Sequence, residues 1–143
     1  MKKLPHFFMI ELEIPLLSPT NNQLLHMAAR HWGLKVSLRK KWLKAIKDVC
    51  LYKGIEIKAY KFANVEFKRI GLRIPDYDNL VGGCKFILDC LTLPRERGGL
   101  ANNKYGLGFL IDDSPEYCSV EYSSVRCIRR VEQKTIIRID GNE

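Results

Sequence analysis

The hydrophobic residues change their period along the chain, and the order of those changes restricts the fold more than any single motif. Ile10, Leu12 and Ile14 alternate with Glu11 and Glu13. Successive side chains of an extended chain point to opposite faces, so this segment predicts a half-buried strand with its acids toward water. The next apolar set is spaced differently. Leu38, Trp42, Ala45, Ile46 and Val49 make one stripe within a helical pattern over residues 23–52. Gly33 predicts a break in that pattern, and Gly54 suits its C-terminal stop. Ser18, Thr20, Asn21 and Asn22 precede it, and each is able to cap its first turn. Val65 and Phe67 then alternate with Glu66 and Lys68, after which Ile70, Leu72 and Ile74 take over in the other phase. A strand with a bulge near Arg69 is expected. Leu80, Cys84, Ile87, Leu88 and Leu91 form a second helical stripe over residues 79–91. Residues 94–106 read as a loop carrying Arg95, Arg97 and Lys104, and strands are expected at 107–111, 117–128 and 134–139. This order predicts an α+β fold, a small mixed β-sheet packed with two main helical segments. At 143 residues and 46% hydrophobic, the chain suits one core and a single domain over residues 1–143.

Charge narrows the partners. Lys and Arg number 24 against 16 Asp and Glu, a net charge of +8, which favours polyanions such as nucleic acid over other ligands. Between Ile14 and Lys47 there is no acid, yet Arg30, Lys35, Arg39, Lys40, Lys41, Lys44 and Lys47 all occur. An ordinary solvated helix face mixes signs to gain pairs one turn apart, so the one-sided charge favours phosphate contact. No apolar stretch approaches the roughly 20 residues that span a bilayer, and no membrane role is expected. The run Phe7 to Ile10 is short and closes at Glu11, unlike a signal peptide. Five cysteines without C-x-x-C spacing fit neither a disulfide framework nor a zinc ribbon; buried thiols in a reduced compartment are expected. His26 and His31 are five apart, a poor spacing for shared metal ligation on a helix. Neither a nucleophile elbow nor a phosphate-binding P-loop is present, and no organic cofactor is expected.

The chemistry concentrates in two acidic doublets. Asp76 and Asp78 flank Tyr77 just after the strand that ends near Ile74. If the chain stays extended past Pro75, both carboxylates share the parity of Ile70, Leu72 and Ile74 and lean toward the covered side of the sheet. Paired carboxylates repel and desolvate poorly, and a divalent cation relieves both costs; Mg²⁺ takes one or two carboxylates plus waters and phosphate oxygens. Asp78 also suits a helix N-cap, as does Asn79. Lys85 lies two helical turns beyond Asp78 and leans back toward it, either to a phosphate or to a surface ion pair with Asp89. Asp112 and Asp113 close the apolar strand at 107–111; Asp-Asp-Ser-Pro is equally good turn chemistry. Carboxylates from separate elements are what metal-assisted phosphodiester hydrolysis requires.

The ordered set Asp76-Tyr77-Asp78-Asn79-Leu80-Val81-Gly82-Gly83-Cys84-Lys85, Leu88-Asp89-Cys90-Leu91 and Gly108-Phe109-Leu110-Ile111-Asp112-Asp113 resembles the RusA-type Holliday junction resolvases of phages and prophages. Ser18-Pro19-Thr20-Asn21-Asn22-Gln23-Leu24-Leu25, followed by His31-Trp32, Arg39-Lys40 and Trp42, is similar to their N-terminal segment. The resemblance covers nearly the whole chain. It implies a RusA-like fold and a homodimeric endonuclease. Such an enzyme cuts four-way-junction DNA symmetrically with Mg²⁺ or Mn²⁺, in the cytoplasm of a bacterial or phage-infected cell. It matches Asp76, Asp78 and Asp113 to the catalytic, metal-holding aspartates, with Asp112 beside the third. Lys85 matches the family lysine, which usually stands one turn after the second aspartate, where this chain has Gly82. Arg30, Lys35, Arg39, Lys40, Lys44 and Lys47 are the expected DNA-binding residues. Two other readings fit the same residues: a basic nucleic-acid-binding protein without catalysis, and a different nuclease on the same scaffold.

Overall fold

The computed structural model describes residues 7–97 and 100–142. Strand β1 (Phe7–Ile14) is followed by helices α1 (Asn21–Arg30) and α2 (Trp32–Lys53), strand β2 (Phe62–Gly71) and helix α3 (Tyr77–Leu91). Short strands β3 (Arg95–Arg97) and β4 (Leu100–Asn102) pair with each other, and strands β5 (Cys118–Arg126) and β6 (Lys134–Asn142) complete the chain. The main sheet has the order β1-β6-β2-β5. β6 is antiparallel to β1 and β2, whereas β2 and β5 are parallel. Parallel neighbours cannot be joined by a hairpin, and α3 lies in the connection that crosses between them. The fold is α+β, a mixed sheet with the helices on one face.

Three rows of side chains cross that covered face. Ile10, Ile139, Val65 and Val120 align in one; Leu12, Ile137, Phe67 and Tyr122 align in the next. Trp42 and Ile46 of α2 and Ile87 and Leu91 of α3 close over them, all essentially inaccessible to water. The third row is Ile14, Thr135, Arg69 and Ser124. Its polar members are satisfied locally. Thr135 Oγ1 accepts the Ser18 N–H at 2.9 Å and donates to the Leu16 carbonyl at 2.8 Å. The buried Arg69 guanidinium donates to the carbonyls of Ser18 and Arg73, both at 3.0 Å. The core thus ends in a polar layer that ties down the segments leading into α1 and α3.

Four details differ from the sequence expectation. β2 runs without a bulge, with Ala63, Val65, Phe67, Arg69 and Gly71 all inward. The apparent phase shift arises because Arg69, a charged residue, takes a core position. The break expected at Gly33 in the helical pattern at 23–52 is present but falls at His31, between α1 and α2, where His31 Nδ1 accepts the Gly33 N–H at 3.0 Å. Residues 107–111 form no strand; Leu110 bridges singly to Tyr60 and Thr92, because this segment lies across the end of α3. The stretch 94–106 is not all loop but contains the β3–β4 pair. Gly54 ends α2 at φ 68°, as expected of a left-handed stop. All five cysteines are buried free thiols.

Candidate active site and nucleic-acid interface

α3 begins two residues earlier than its apolar stripe, because Asp76 caps it. Asp76 Oδ1 accepts the Asn79 N–H at 2.9 Å, and Oδ2 accepts the Asn79 side-chain amide at 3.1 Å. The N-cap is therefore neither Asp78 nor Asn79. Asp78 lies in the first turn, where its negative charge faces the positive end of the helix. The two carboxylates are not alternate residues of a strand leaning into the covered side. The strand stops at Gly71, Ile70 is on the open face, and both aspartates are exposed.

A glycine pair fixes what lies behind this turn. A Cβ on Gly83 would stand 1.6 Å from the Pro19 carbonyl oxygen, and one on Gly82 would stand 2.6 Å from Asn21 Cβ. The start of α1 rests directly on the α3 backbone there, and Asn79 Oδ1 accepts the Asn22 N–H at 3.1 Å. At Gly82, where the resemblance places the family lysine, a side chain would require Asn21 to shift. Lys85 is exposed, further along α3. Asp89 faces Arg39 of α2 at 4.0 Å.

The second doublet forms a turn, with Asp112 Oδ1 accepting the Asp113 N–H at 2.6 Å. Tyr122 lies beside the first doublet and within the electrostatic reach of the second. Its ring stacks on Phe67 and meets Tyr77, the residue between Asp76 and Asp78, edge-on at 6.5 Å. Burial pushes the Tyr122 hydroxyl up to about 12, and the charges of neighbouring groups, Asp113 among them, add to the rise. Burial, then Asp113, also raises the Cys118 thiol. Cys84 lies under the same region at about 11, raised by burial. Ser18 Oγ is buried there without a well-formed hydrogen bond; its polar neighbour is the Cys84 thiol. Sequence reasoning missed Tyr122 and Arg69, because one reads as a strand aromatic and the other as a surface cation.

The donor set suits a hard cation, being carboxylate oxygen throughout. Its spacing does not assemble a complete cage: among the described residues, no three His, Cys, Asp or Glu side chains lie close enough to hold a metal ion. The residues fit Mg²⁺ by chemistry, as one or two carboxylates completed by water and phosphate.

The expected DNA-binding residues divide between two places. Arg30 is exposed at the end of α1 beside Trp32, which is 74% exposed and stacks on His31. Lys35, Arg39, Lys40, Lys44 and Lys47 follow α2. Arg39 is turned toward α3, its guanidinium 5.2 Å from the Phe86 ring centre. Lys44 pairs with Asp48 at 2.6 Å. Lys35, Lys40 and Lys47 have no ion-pair partner among the described residues. Two contiguous grooves of about 300 and 370 Å³ run beside these cations, and both include Lys40, Leu43 and Tyr105. Tyr105 was not among the expected residues; the signal was an aromatic next to Lys104 in a segment read as loop.

No family model matches the chain, and no curated protein or solved structure is significantly similar to it. Among the described residues no helix is long and apolar enough to cross a membrane.

Proposed function

We propose that this chain is a Mg²⁺-dependent, structure-selective DNA endonuclease of the RusA type that resolves four-way junctions by symmetric phosphodiester cleavage. One observation carries the reading: Asp76 and Asp78 are exposed at the N-terminal end of α3 on either side of Tyr77, whose ring meets Tyr122, and the charge of Asp113, remote in sequence, is felt at the same Tyr122 hydroxyl. In this reading the cation takes one or two of Asp76, Asp78 and Asp113 as ligands, completed by water and phosphate, and Asp112 shapes the turn that presents Asp113. When bound, Mg²⁺ or Mn²⁺ neutralises phosphate charge and lowers the pKa of an attacking water. Lys85 shares the charge of the phosphate, and the cations of α2 hold the DNA arms. Cutting two strands symmetrically calls for two such sites on a two-fold axis, hence a homodimer. Buried free thiols fit a reducing, cytoplasmic setting.

A second reading has its own observation. Asp76 already uses both oxygens on Asn79, and Asp112 is a turn residue. That favours a basic nucleic-acid-binding protein whose aspartates are caps and turns. Strand cleavage of a synthetic four-way junction and a matched linear duplex, with and without Mg²⁺, separates the two. Asp76→Asn keeps an amide oxygen for the cap and removes the charge; Asp78→Asn removes a charge that caps nothing. The nuclease reading expects metal-dependent symmetric cuts in the junction, lost in both variants while junction binding persists. Absence of cutting with either Mg²⁺ or Mn²⁺, or full cutting by the variants, overturns it.

A further inference from the structure

The groove beside α2 has a composition of its own. Its floor is Leu43, flanked by the exposed apolar side chains of Val36 and Leu51, and the one acid in its lining among the described residues, Asp48, is paired with Lys44. Its rim is cationic, with Lys35, Lys40 and Lys47 free of ion pairs among the described residues. Its opposite wall is the Tyr105 ring, which is 62% exposed. Exposed aromatic rings on loops are usually free to rotate away, but this one stands on an anchored turn. The Asn103 side-chain amide donates to the Asp89 carbonyl at 2.7 Å and to Thr92 Oγ1 at 2.5 Å, both at the end of α3. Gly106 N–H donates to the Asn103 carbonyl at 3.0 Å, and a Cβ on Gly106 would stand 2.0 Å from the Thr92 carbonyl oxygen. Tyr105 is thus held between two fixed points. Lys104 Nζ lies 5.6 Å from its ring centre, so a cation accompanies the ring.

A paired duplex stacks its base faces out of reach and presents phosphates and groove edges, which exposed lysines meet without an apolar floor or an aromatic wall. An unpaired strand presents both a phosphate chain and bare base faces. The groove matches the second. Each of its two sections is at the lower end of the roughly 300–1,000 Å³ typical of ligand pockets. We propose that the α2–Tyr105 groove binds an unpaired segment of a DNA strand, one base stacking on Tyr105 while Lys35, Lys40 and Lys47 take the flanking phosphates. This rests on the proposed function only for its ligand class, nucleic acid, which both readings above share, and adds that the strand is engaged through unpaired nucleotides away from the aspartates.

The test is fluorescence anisotropy without divalent metal, using labelled oligothymidine and a matched duplex. Tyr105→Ala is expected to weaken oligothymidine binding about tenfold, the usual loss when one base-stacking aromatic is removed. Tyr105→Phe should retain it, and duplex binding should change less than twofold. Tyr105 is exposed, so circular dichroism of the variants should match the parent. Unchanged oligothymidine binding by Tyr105→Ala overturns the proposal, as does an equal loss on the duplex. So does displacement of the oligonucleotide by poly-glutamate as effectively as by unlabelled oligothymidine, which would mark a groove for acidic peptides. Because no metal is present, the result is independent of cleavage. Failure of junction cutting alone removes the nuclease reading and leaves the groove standing.

Discussion

At Gly83 two residue-level preferences oppose each other, and packing decides between them. Replacing a helical glycine by alanine ordinarily favours the helix by about 1 kcal/mol. Here the new methyl would meet a backbone carbonyl at 1.6 Å, and neither α1 nor α3 can yield without moving the other. Overpacking of this kind costs about 1–3 kcal/mol and sometimes more. Gly83→Ala is therefore expected to lower stability by about 3 kcal/mol in urea denaturation, and a gain would show that α1 does not rest on α3. Gly54 gives the comparison. A Cβ there meets nothing within 4 Å, so Gly54→Ala exposes only the strain of a left-handed residue at φ 68°, about 1 kcal/mol. A neighbouring contact acts at Gly82, where a Cβ would stand 2.6 Å from Asn21 Cβ at the start of α1.

At the scale of elements, α1 is a short helix whose burial is confined mainly to Leu24, so its ends matter more than its face. Thr20 Oγ1 accepts the Gln23 N–H at 3.2 Å, and Gln23 Oε1 accepts the Thr20 N–H at 2.9 Å. These bonds satisfy two donors that a helix start otherwise leaves open. Thr20→Ala should cost about 1 kcal/mol and Thr20→Ser little, measured by thermal denaturation; equal stability of all three proteins would remove the cap from the account. Elements of this kind were legible in the sequence. The alternation at Ile10 to Ile14, the stripes on α2 and α3 and the stop at Gly54 are local signals with one physical cause each. What was not legible depends on distant partners. Arg69 reads as solvent-facing until the Ser18 and Arg73 carbonyls are known to surround it, and that misreading created the expected bulge. The segment at 107–111 has strand composition, but its hydrogen bonds go to Cys90, Leu91 and Leu93 at the end of α3 and to Tyr60, not to a strand ladder. The aspartate doublets were visible as residues. Their relation through Tyr122 was not, since it depends on the crossover that makes β5 the neighbour of β2.

For the whole molecule, pH acts through two opposed effects. The net charge of +8 falls as lysines deprotonate, which relieves self-repulsion and favours the folded state at high pH. The buried acids act the other way. Burial raises the Cys84 thiol from 9.0 to about 11, the Cys90 thiol from 9.0 to about 12 and the Tyr122 hydroxyl from 10.0 to about 12. Between the unfolded and folded values the unfolded chain releases protons that the native state keeps, so the unfolded state binds fewer and stability falls with rising pH. This contribution is complete below about pH 9 and is lost as pH climbs through the raised values of 11 to 12. For the two buried thiols, shifts of two and three units correspond to about 3 and 4 kcal/mol; the half-buried Tyr122 contributes less because water screens it. The lysines are largely exposed, where water screens their repulsion, so the buried groups dominate. The urea midpoint should be level from pH 7 to about 9 and fall beyond it, more gradually in Cys84→Ala because one of the protons that the native state retains is gone. A midpoint level to pH 11, or a slope that Cys84→Ala leaves unchanged, would mean that these thiols reach water in the native protein.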